Sequence, residues 1–267
     1  MAKGTKRASP GADAEKNPLQ SVELSEEDAT KLQNVQREMA RAELVLEREA
    51  QKRLIPAYEK RREVLKSIQK FWPVALMNHN MVAFYVQHTA DQLALSYLED
   101  LWIAKDSKEP RCFTIELHFK ENPYFTDKVL KKEYKYVPPE SAGDEKPDAD
   151  GITDSMLEFS WEQHTKASAT KISWKDPEKA LTKLYPRLNG DDDEVAEPGS
   201  FFNFFEQETD PFDIGLTIGN EIFPDAIDYF LGNNGGDELD SEDEDSDDDD
   251  DADEIDLEKP RAKKRRV

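Results

Sequence analysis

The charge and composition of this chain limit the kinds of partner that it can bind. Its 267 residues include 59 acidic and 36 basic side chains, a formal net charge of −23. A chain with this much negative charge repels the phosphates of nucleic acid. We therefore expect a cationic partner and no direct nucleic-acid binding. The length is sufficient for one sizeable hydrophobic core.

Cysteine content and hydropathy predict the compartment. The single cysteine, Cys112, has no partner for an intrachain disulfide and lies in an alternating apolar run, which predicts a buried thiol in a reducing environment; a reactive nucleophile is the alternative. No apolar stretch approaches 18 residues, and residues 1–7 lack the apolar segment of a signal peptide. We expect a soluble intracellular protein with no membrane contact.

A disordered leader at residues 1–24 precedes a long helix predicted at 25–73. Ser25 is a suitable N-cap, and acidic residues follow it, where the helix dipole favours negative charge. Apolar side chains recur every three or four residues along a mostly charged helix. The residues of this stripe that we assign to dimerisation are Leu32, Val35, Met39, Leu46, Leu54, Tyr58, Leu65 and Ile68.

The length of this stripe predicts a dimer. A helix rises about 1.5 Å per residue, so the stripe would extend roughly 70 Å, longer than a domain of this size is wide. The same helix of a second copy, running antiparallel, would cover it. Pro56 predicts a kink, and the alternative is a monomer with two core helices broken at Pro56.

Residues 74–232 predict a second unit in which helices cover a sheet. Short helices fit 74–104, and alternating apolar residues at 113–119 and at 130–136 predict a β-hairpin. Leu157, Phe159 and Trp161 suggest a third strand, Ile172 and Trp174 a fourth, and polar linkers fit 138–151 and 163–170. An antiparallel meander fits best.

The remaining segments complete an α+β fold. An acidic loop at 186–199 precedes an aromatic helix at 200–205, and helices at 213–231 close one face of the sheet. Residues 233–258 form an acidic tail that lacks the apolar side chains needed to fold, and residues 259–267 form a basic end.

Several of these segments resemble the nucleosome assembly protein family, especially its SET-like subgroup. The similar segments are ENPYF at 121–125, KVLKKEY at 128–134, ISWK at 172–175, SFFNFF at 200–205, IFPDAIDYF at 222–230 and PAYEKRR at 56–62. The resemblance covers roughly residues 25–232. Three features depart from the family: the acidic tail is short, a basic run follows it, and 152–171 match no family pattern.

The resemblance implies an antiparallel homodimer of long helices that carries two earmuff domains, each a sheet covered by helices, with core histones held on a concave acidic underside. It implies a non-enzymatic histone chaperone that promotes nucleosome assembly and disassembly without ATP, in the nucleus and with shuttling to the cytoplasm. The alternative is a regulatory cofactor or inhibitor of an enzyme, either a histone acetyltransferase or a protein phosphatase, as for some SET-like relatives.

Carboxylates on the last helices are the candidate histone-binding residues. Carboxylates fixed on a rigid surface lose less entropy on binding than those of a tail. The candidates are Glu206, Glu208, Asp210, Asp213, Glu221, Asp225 and Asp228. The alternative is an ordinary solvated helix face. The acidic tail could also bind cations in a salt-dependent way, or merely aid solubility.

The basic end predicts nuclear import. Lys263, Lys264, Arg265 and Arg266 form a cluster that an acidic import receptor would hold. The alternative is that this end folds back and neutralises the acidic tail.

No motif indicates catalysis, a metal site or a cofactor. The four histidines, His79, His88, His118 and His164, lack the paired spacing of zinc ligands, and Cys112 has no CxxC companion. Phosphate-binding and nucleophile-elbow glycine motifs are absent from the sequence. His118 lies on the polar side of its predicted strand, where solvation is a simpler explanation than a base. An unrecognised hydrolase is the least favoured hypothesis.

Overall fold

The structure is a computed structural model that describes residues 24–189 and 195–234, and it confirms the α+β fold class. A long N-terminal helix is followed by an antiparallel sheet and by short helices that cover it. The helices are α1 (Glu26–Leu65), α2 (Phe71–Met77), α3 (Asn80–Tyr85), α4 (Thr89–Leu95), α5 (Asp154–Leu157), α6 (Trp161–His164), α7 (Leu181–Leu184), α8 (Asn203–Glu206), α9 (Ile214–Leu216) and α10 (Ala226–Leu231). A π-helix spans Thr217–Ile222, and short 3₁₀ turns span Glu140–Asp144 and Pro177–Lys179.

Helix α1 begins where the sequence predicts. The Ser25 side chain accepts a hydrogen bond from the Asp28 amide at 3.1 Å, and three acidic residues occupy the first turn. The helix is continuous for 40 residues and passes through Pro56. The alternative of two helices broken at Pro56 is therefore wrong.

The predicted end of this helix at residue 73 is wrong, because α1 ends at Leu65. The Ser67 hydroxyl donates to the Val64 carbonyl at 2.8 Å, and Lys70 adopts a left-handed backbone conformation with φ of 58°. The chain therefore reverses, and α2 begins at Phe71 with its aromatic side chains in the core. Ile68 lies in this turn rather than on the helix.

The main sheet has four antiparallel strands in the order β1 (Leu98–Lys105), β2 (Phe113–Phe119), β3 (Val129–Tyr136) and β4 (Thr165–Ala167). The predicted hairpin is confirmed, because β2 pairs with β3 in a register that sets Leu117 opposite Leu130. Strand β2 buries every second side chain, as its alternation predicts. A separate pair, β5 (Leu188–Asn189) and β6 (Val195–Glu197), is also antiparallel.

Two of the predicted strands are wrong. The third candidate, around Phe159, forms α5 and α6 instead, because Phe159 packs against the Arg111 guanidinium and Trp161 stacks on Phe113. The strand next to β3 is β4, which lies inside the predicted polar linker 163–170. The fourth candidate contributes only one bridge, between Trp174 and Phe125.

The region 74–104 is partly as predicted. Its short helices are confirmed as the end of α2 with α3 and α4, but β1 follows them as an unpredicted edge strand. An irregular register between Leu98 and Asp100 interrupts its alternation, so the period of two residues is not visible in the sequence.

An aromatic layer covers the inner face of the sheet. Phe201, Phe202, Phe204 and Phe205 are all fully buried, and the π-helix adds Ile218 and Ile222. Close approach requires glycine here, since a Cβ on Gly215 would lie 1.9 Å from the Tyr134 hydroxyl. The final helices are thus held tightly against the sheet, as the sequence predicts.

Candidate functional site

The seven candidate carboxylates divide into two groups along the chain. The first group, Glu206, Glu208, Asp210 and Asp213, lies at the end of α8 and in the loop before α9. The second group, Glu221, Asp225 and Asp228, lies at the end of the π-helix and on α10.

Two members of the first group are structural anchors. The Glu206 carboxylate accepts from the Ile172 amide at 3.0 Å and from the Trp174 indole at 3.2 Å. These bonds tie α8 to the segment around Ile172 and Trp174. A cationic partner would have to break them before it could form an unshared ion pair with Glu206.

Asp210 is committed in the same way. Its carboxylate accepts from the Ile214 amide at 3.1 Å, from the Gly215 amide at 2.8 Å and from the Tyr134 hydroxyl. Burial and the nearby Asp210 carboxylate raise the pKa of Tyr134, so this hydroxyl stays protonated and keeps donating. The primary role of Asp210 is therefore to fix the loop.

The loop presents its other carboxylates around a shallow pocket. Glu208 and Asp213 are exposed and line this pocket with Asp210 and with Glu162, whose part the sequence reasoning missed. Burial, then the carboxylates of Asp210 and Glu162, raise the pKa of Asp213. Glu162 follows Trp161 on α6, and Trp161 also lines the pocket. The sequence predicted a strand for this segment, so it gave no reason to place Glu162 beside Asp213.

A buried lysine and a partly buried arginine hold the loop in place. The Lys132 side chain is fully buried, and its ammonium group donates to the Gln207 carbonyl. Burial lowers the pKa of Lys132 to about 8. The Arg187 guanidinium donates to the Thr209 carbonyl at 3.3 Å. The acidic loop is thus a rigid element rather than a solvated tail.

The second group is exposed at the surface. The Glu221 carboxylate lies 3.3 Å from the His79 ring nitrogen, and the Asp228 carboxylate accepts from the side-chain amide of Asn233 at 3.2 Å. Next to Asp225, the Pro224 carbonyl accepts a hydrogen bond from the Arg61 guanidinium at 2.9 Å, and burial lowers the pKa of this guanidinium while the Asp225 charge opposes that shift. Among the described residues, none of these three carboxylates accepts several backbone hydrogen bonds as the Asp210 carboxylate does.

The predicted dimerisation residues separate into exposed and buried members. Four of them, between residues 32 and 46 of α1, are more than half exposed: Leu32 (53%), Val35 (51%), Met39 (58%) and Leu46 (67%). Leu54 and Ile68 are each 39% exposed. Leu65 is buried in the core of its own chain, and Tyr58 packs against that core, so the assignment of Leu65 to the dimer surface is wrong.

The described residues show no metal-binding cluster, and the one cysteine among them is buried. Within 24–189 and 195–234, no group of three or more His, Cys, Asp or Glu side chains could hold a metal ion. Cys112 is a buried free thiol whose pKa is raised to about 11, mainly by burial, which disfavours the nucleophilic thiolate. His118 contacts Arg62 and Glu116 and has the character of a hydrogen-bonded surface residue.

Some predictions lie outside what the structure covers. Residues 1–23 of the leader, the acidic tail beyond Asn234 and the import cluster at residues 263–266 all lie outside the described residues. None of the helices in the described part of the chain is both long enough and apolar enough to span a bilayer.

Known proteins share both the sequence pattern and the fold. The family model described as nucleosome assembly protein (NAP) matches residues 29–233. Protein SET of Drosophila melanogaster is 28% identical over 234 residues, which cover 83% of this chain and 80% of that protein. The crystal structure of a Ccp1 mutant is similar with a TM-score of 0.58 at 24% identity, covering 77% of this chain and 94% of that one. The structure of the Vps75 histone chaperone has a TM-score of 0.52 at 17% identity, covering 78% of this chain and 97% of that one.

At these identities the two crystal structures establish only the fold, which is a long helix followed by a sheet covered by helices. The family match extends over most of the chain and includes α1, the sheet and the acidic loop. The chain therefore belongs to the nucleosome assembly protein family.

Proposed function

We propose that this chain is a nuclear histone chaperone that binds core histones through acidic surfaces and promotes nucleosome assembly and disassembly without ATP. The observation that carries the proposal is the set of exposed carboxylates on rigid elements. These are Glu208, Asp213, Glu221, Asp225 and Asp228. Family membership and the naming of similar proteins as nucleosome assembly proteins and as a histone chaperone support it.

The physical mechanism is competition for cationic side chains. Histones are rich in Lys and Arg, which bind DNA phosphates through ionic contacts that salt weakens. Fixed carboxylates compete for the same side chains, and the cargo is released by mass action when DNA is a stronger competitor. No nucleotide is needed, because both binding and release are equilibrium steps.

We further propose that the active form is an antiparallel homodimer. Four half-exposed apolar side chains on one helix are costly in water, and the same helix of a second copy would cover them. In such a dimer the two sheet domains would place their acidic surfaces around one cargo.

Charge neutralisation tests the proposal. A variant with Glu221→Gln, Asp225→Asn and Asp228→Asn should bind core histones about 3- to 150-fold more weakly than the unmodified chain at about 150 mM salt, since exposed ion pairs contribute about 0.2–1 kcal/mol each. The pair Glu208→Gln and Asp213→Asn should weaken binding in the same direction.

The matched control removes three exposed carboxylates from α1, with Glu38→Gln, Glu59→Gln and Glu63→Gln. It should keep histone affinity within twofold, because none of these carboxylates is among the candidate histone-binding residues. Absence of histone binding by the unmodified chain would refute the proposal. Equal loss in the control and in the test variants would show that net charge, rather than this surface, binds the cargo.

A further inference from the structure

Residues 145–158, which we call the brace, connect α1 to the loop between β1 and β2. The brace lies between β3 and β4 in the chain and includes α5. Its first part is a compact loop in which the Asp148 carboxylate accepts from the amides of Asp150 at 2.8 Å and Ile152 at 3.0 Å. Ile152 is buried, so the brace has a fixed shape of its own.

Three arginines of α1 bind this segment. Arg37 lies 2.5 Å from the Asp154 carboxylate and 3.6 Å from that of Glu158. Arg41 pairs with Asp148 at 2.7 Å and also with Asp150.

Arg48 binds backbone rather than carboxylates. It donates to the Asp150 carbonyl at 2.7 Å and to the Lys108 carbonyl, in the loop between β1 and β2, at 2.9 Å. One guanidinium therefore joins α1, the brace and the sheet. Leu44, which lies between Arg41 and Arg48 in the sequence, is only 2% exposed, so α1 is also packed against its own chain at this level.

The other side of the brace is attached to the sheet. Arg111, which is paired with the buried Glu109, donates to the Met156 carbonyl at 2.7 Å. The ring of Phe159, which follows the brace, lies 4.1 Å from the same guanidinium. The brace thus bridges the two parts of the fold through charge-assisted contacts on both sides.

The face of α1 that binds the brace is opposite to its exposed apolar stripe. Arg41 and Arg48 each follow a stripe residue, Leu32 and Met39, by about two and a half helical turns, which places them on the opposite side of the helix. The brace and a second copy of α1 can therefore bind at the same time.

We propose that the brace fixes the orientation of the N-terminal half of α1 relative to the sheet, and releases it when its ion pairs are screened by salt. The apolar contacts of α1 with the domain core are made by residues near its C-terminal end, such as Tyr58 and Leu65. Apart from the brace, α1 contacts the sheet near its middle through the Arg48 bond to the Lys108 carbonyl and the 3.2 Å ion pair of Glu47 with Lys105 on β1. The residues of α1 that precede Leu44 therefore depend on the brace for their attachment to the domain. This proposal does not depend on which cargo the protein binds.

Hydrogen exchange of the full-length protein tests the attachment. The double variant Arg41→Ala, Arg48→Met should accelerate amide exchange at least tenfold across residues 146–158. The control, Arg53→Ala with Lys60→Met, removes the same charge from exposed positions of α1 and should leave exchange in the brace unchanged. Raising the salt concentration from about 50 to 500 mM should accelerate exchange in the brace of the unmodified chain. Unchanged exchange in the double variant would overturn the proposal.

A distance measurement tests the orientation itself. Spin labels at Glu38→Cys on α1 and Glu133→Cys on β3 occupy exposed positions, whereas Cys112 is buried. Labelled chains diluted into unlabelled ones report the distance within one chain. We expect one narrow distribution, which becomes at least twofold broader in the double variant. Coinciding distributions would show that the brace is attached but does not orient α1.

A charge swap separates the ionic contact from general loss of structure. Arg37→Asp alone should accelerate exchange in the brace, and adding Asp154→Arg should restore at least half of the lost protection. Failure of the swap to restore any protection would also count against the proposal.

Discussion

The exposed stripe of α1 predicts a specific loss of dimer affinity when it is truncated. Leu32 and Leu46 are 53% and 67% exposed in the single chain, so roughly half of each side chain remains to be buried by a second copy. Burying a whole leucine side chain contributes about 1.5–3 kcal/mol, so each half-exposed leucine should contribute about 1 kcal/mol.

The variant Leu32→Ala, Leu46→Ala removes two such side chains from each copy. The association free energy should therefore weaken by about 4 kcal/mol, a roughly thousandfold increase in the dimer dissociation constant. Sedimentation equilibrium over nanomolar to micromolar concentrations measures this constant directly.

The matched control is Leu93→Ala with Leu184→Ala, because these leucines are 53% and 51% exposed on short helices outside α1. The control should leave the dimer constant unchanged within threefold. An equal effect of the two variants, or an unmodified chain that sediments with the mass of one copy at micromolar concentration, would refute the reasoning.

Three further predictions concern the interior. Asp210→Ala should lower the free energy of unfolding by about 2–4 kcal/mol in urea titration, because it leaves buried donors, including the Tyr134 hydroxyl, without an acceptor, whereas Glu208→Ala should change it by less than about 0.5 kcal/mol. Burial lowers the pKa of Lys132 to about 8, so above that pH the unfolded chain binds more protons at this group, and the free energy of unfolding of the unmodified chain should rise relative to that of Lys132→Met between about pH 8 and 9.5. The Cys112 thiol, with its pKa raised to about 11, should resist a thiol reagent at pH 7.5 in the native protein and react at once in urea; rapid native reaction would contradict its burial.

The elements that sequence predicted best are those whose signals are local. The N-cap of α1 and the alternation of β2 are contained within a few residues, so no distant contact is needed to recognise them. The paired strand β3 followed from the same alternation.

The elements that sequence missed depend on distant contacts. Leu157, Phe159 and Trp161 alternate like a strand, but Arg111 and Phe113 provide partners that two short helices satisfy better. In β1 the irregular register near Asp100 removes the alternation that would have revealed a strand. Local pattern cannot decide such cases, because tertiary packing overrides it.

The candidate site shows the same limit. The sequence indicates where carboxylates are concentrated, but not which of them are occupied by backbone amides. Glu206 and Asp210 serve the fold, whereas Glu208, which lies between them, and Asp213, which follows them, stay exposed. The anchored carboxylates differ from the exposed ones because Ile172, Trp174 and Tyr134, which are distant in sequence, donate hydrogen bonds to them.

The salt dependence of histone affinity tests the central claim most directly. The dissociation constant for core histones would be measured between about 100 and 400 mM salt, for the unmodified chain and for a variant neutralised at the exposed carboxylates. The neutralised positions are Glu208, Asp213, Glu221, Asp225 and Asp228. We expect the neutralised variant to bind more weakly at each salt concentration and to show a shallower dependence on salt, because fewer ionic contacts remain to be screened. Parallel salt dependences with equal affinities would contradict the account, because the folded acidic surface would then make no ionic contact with the cargo.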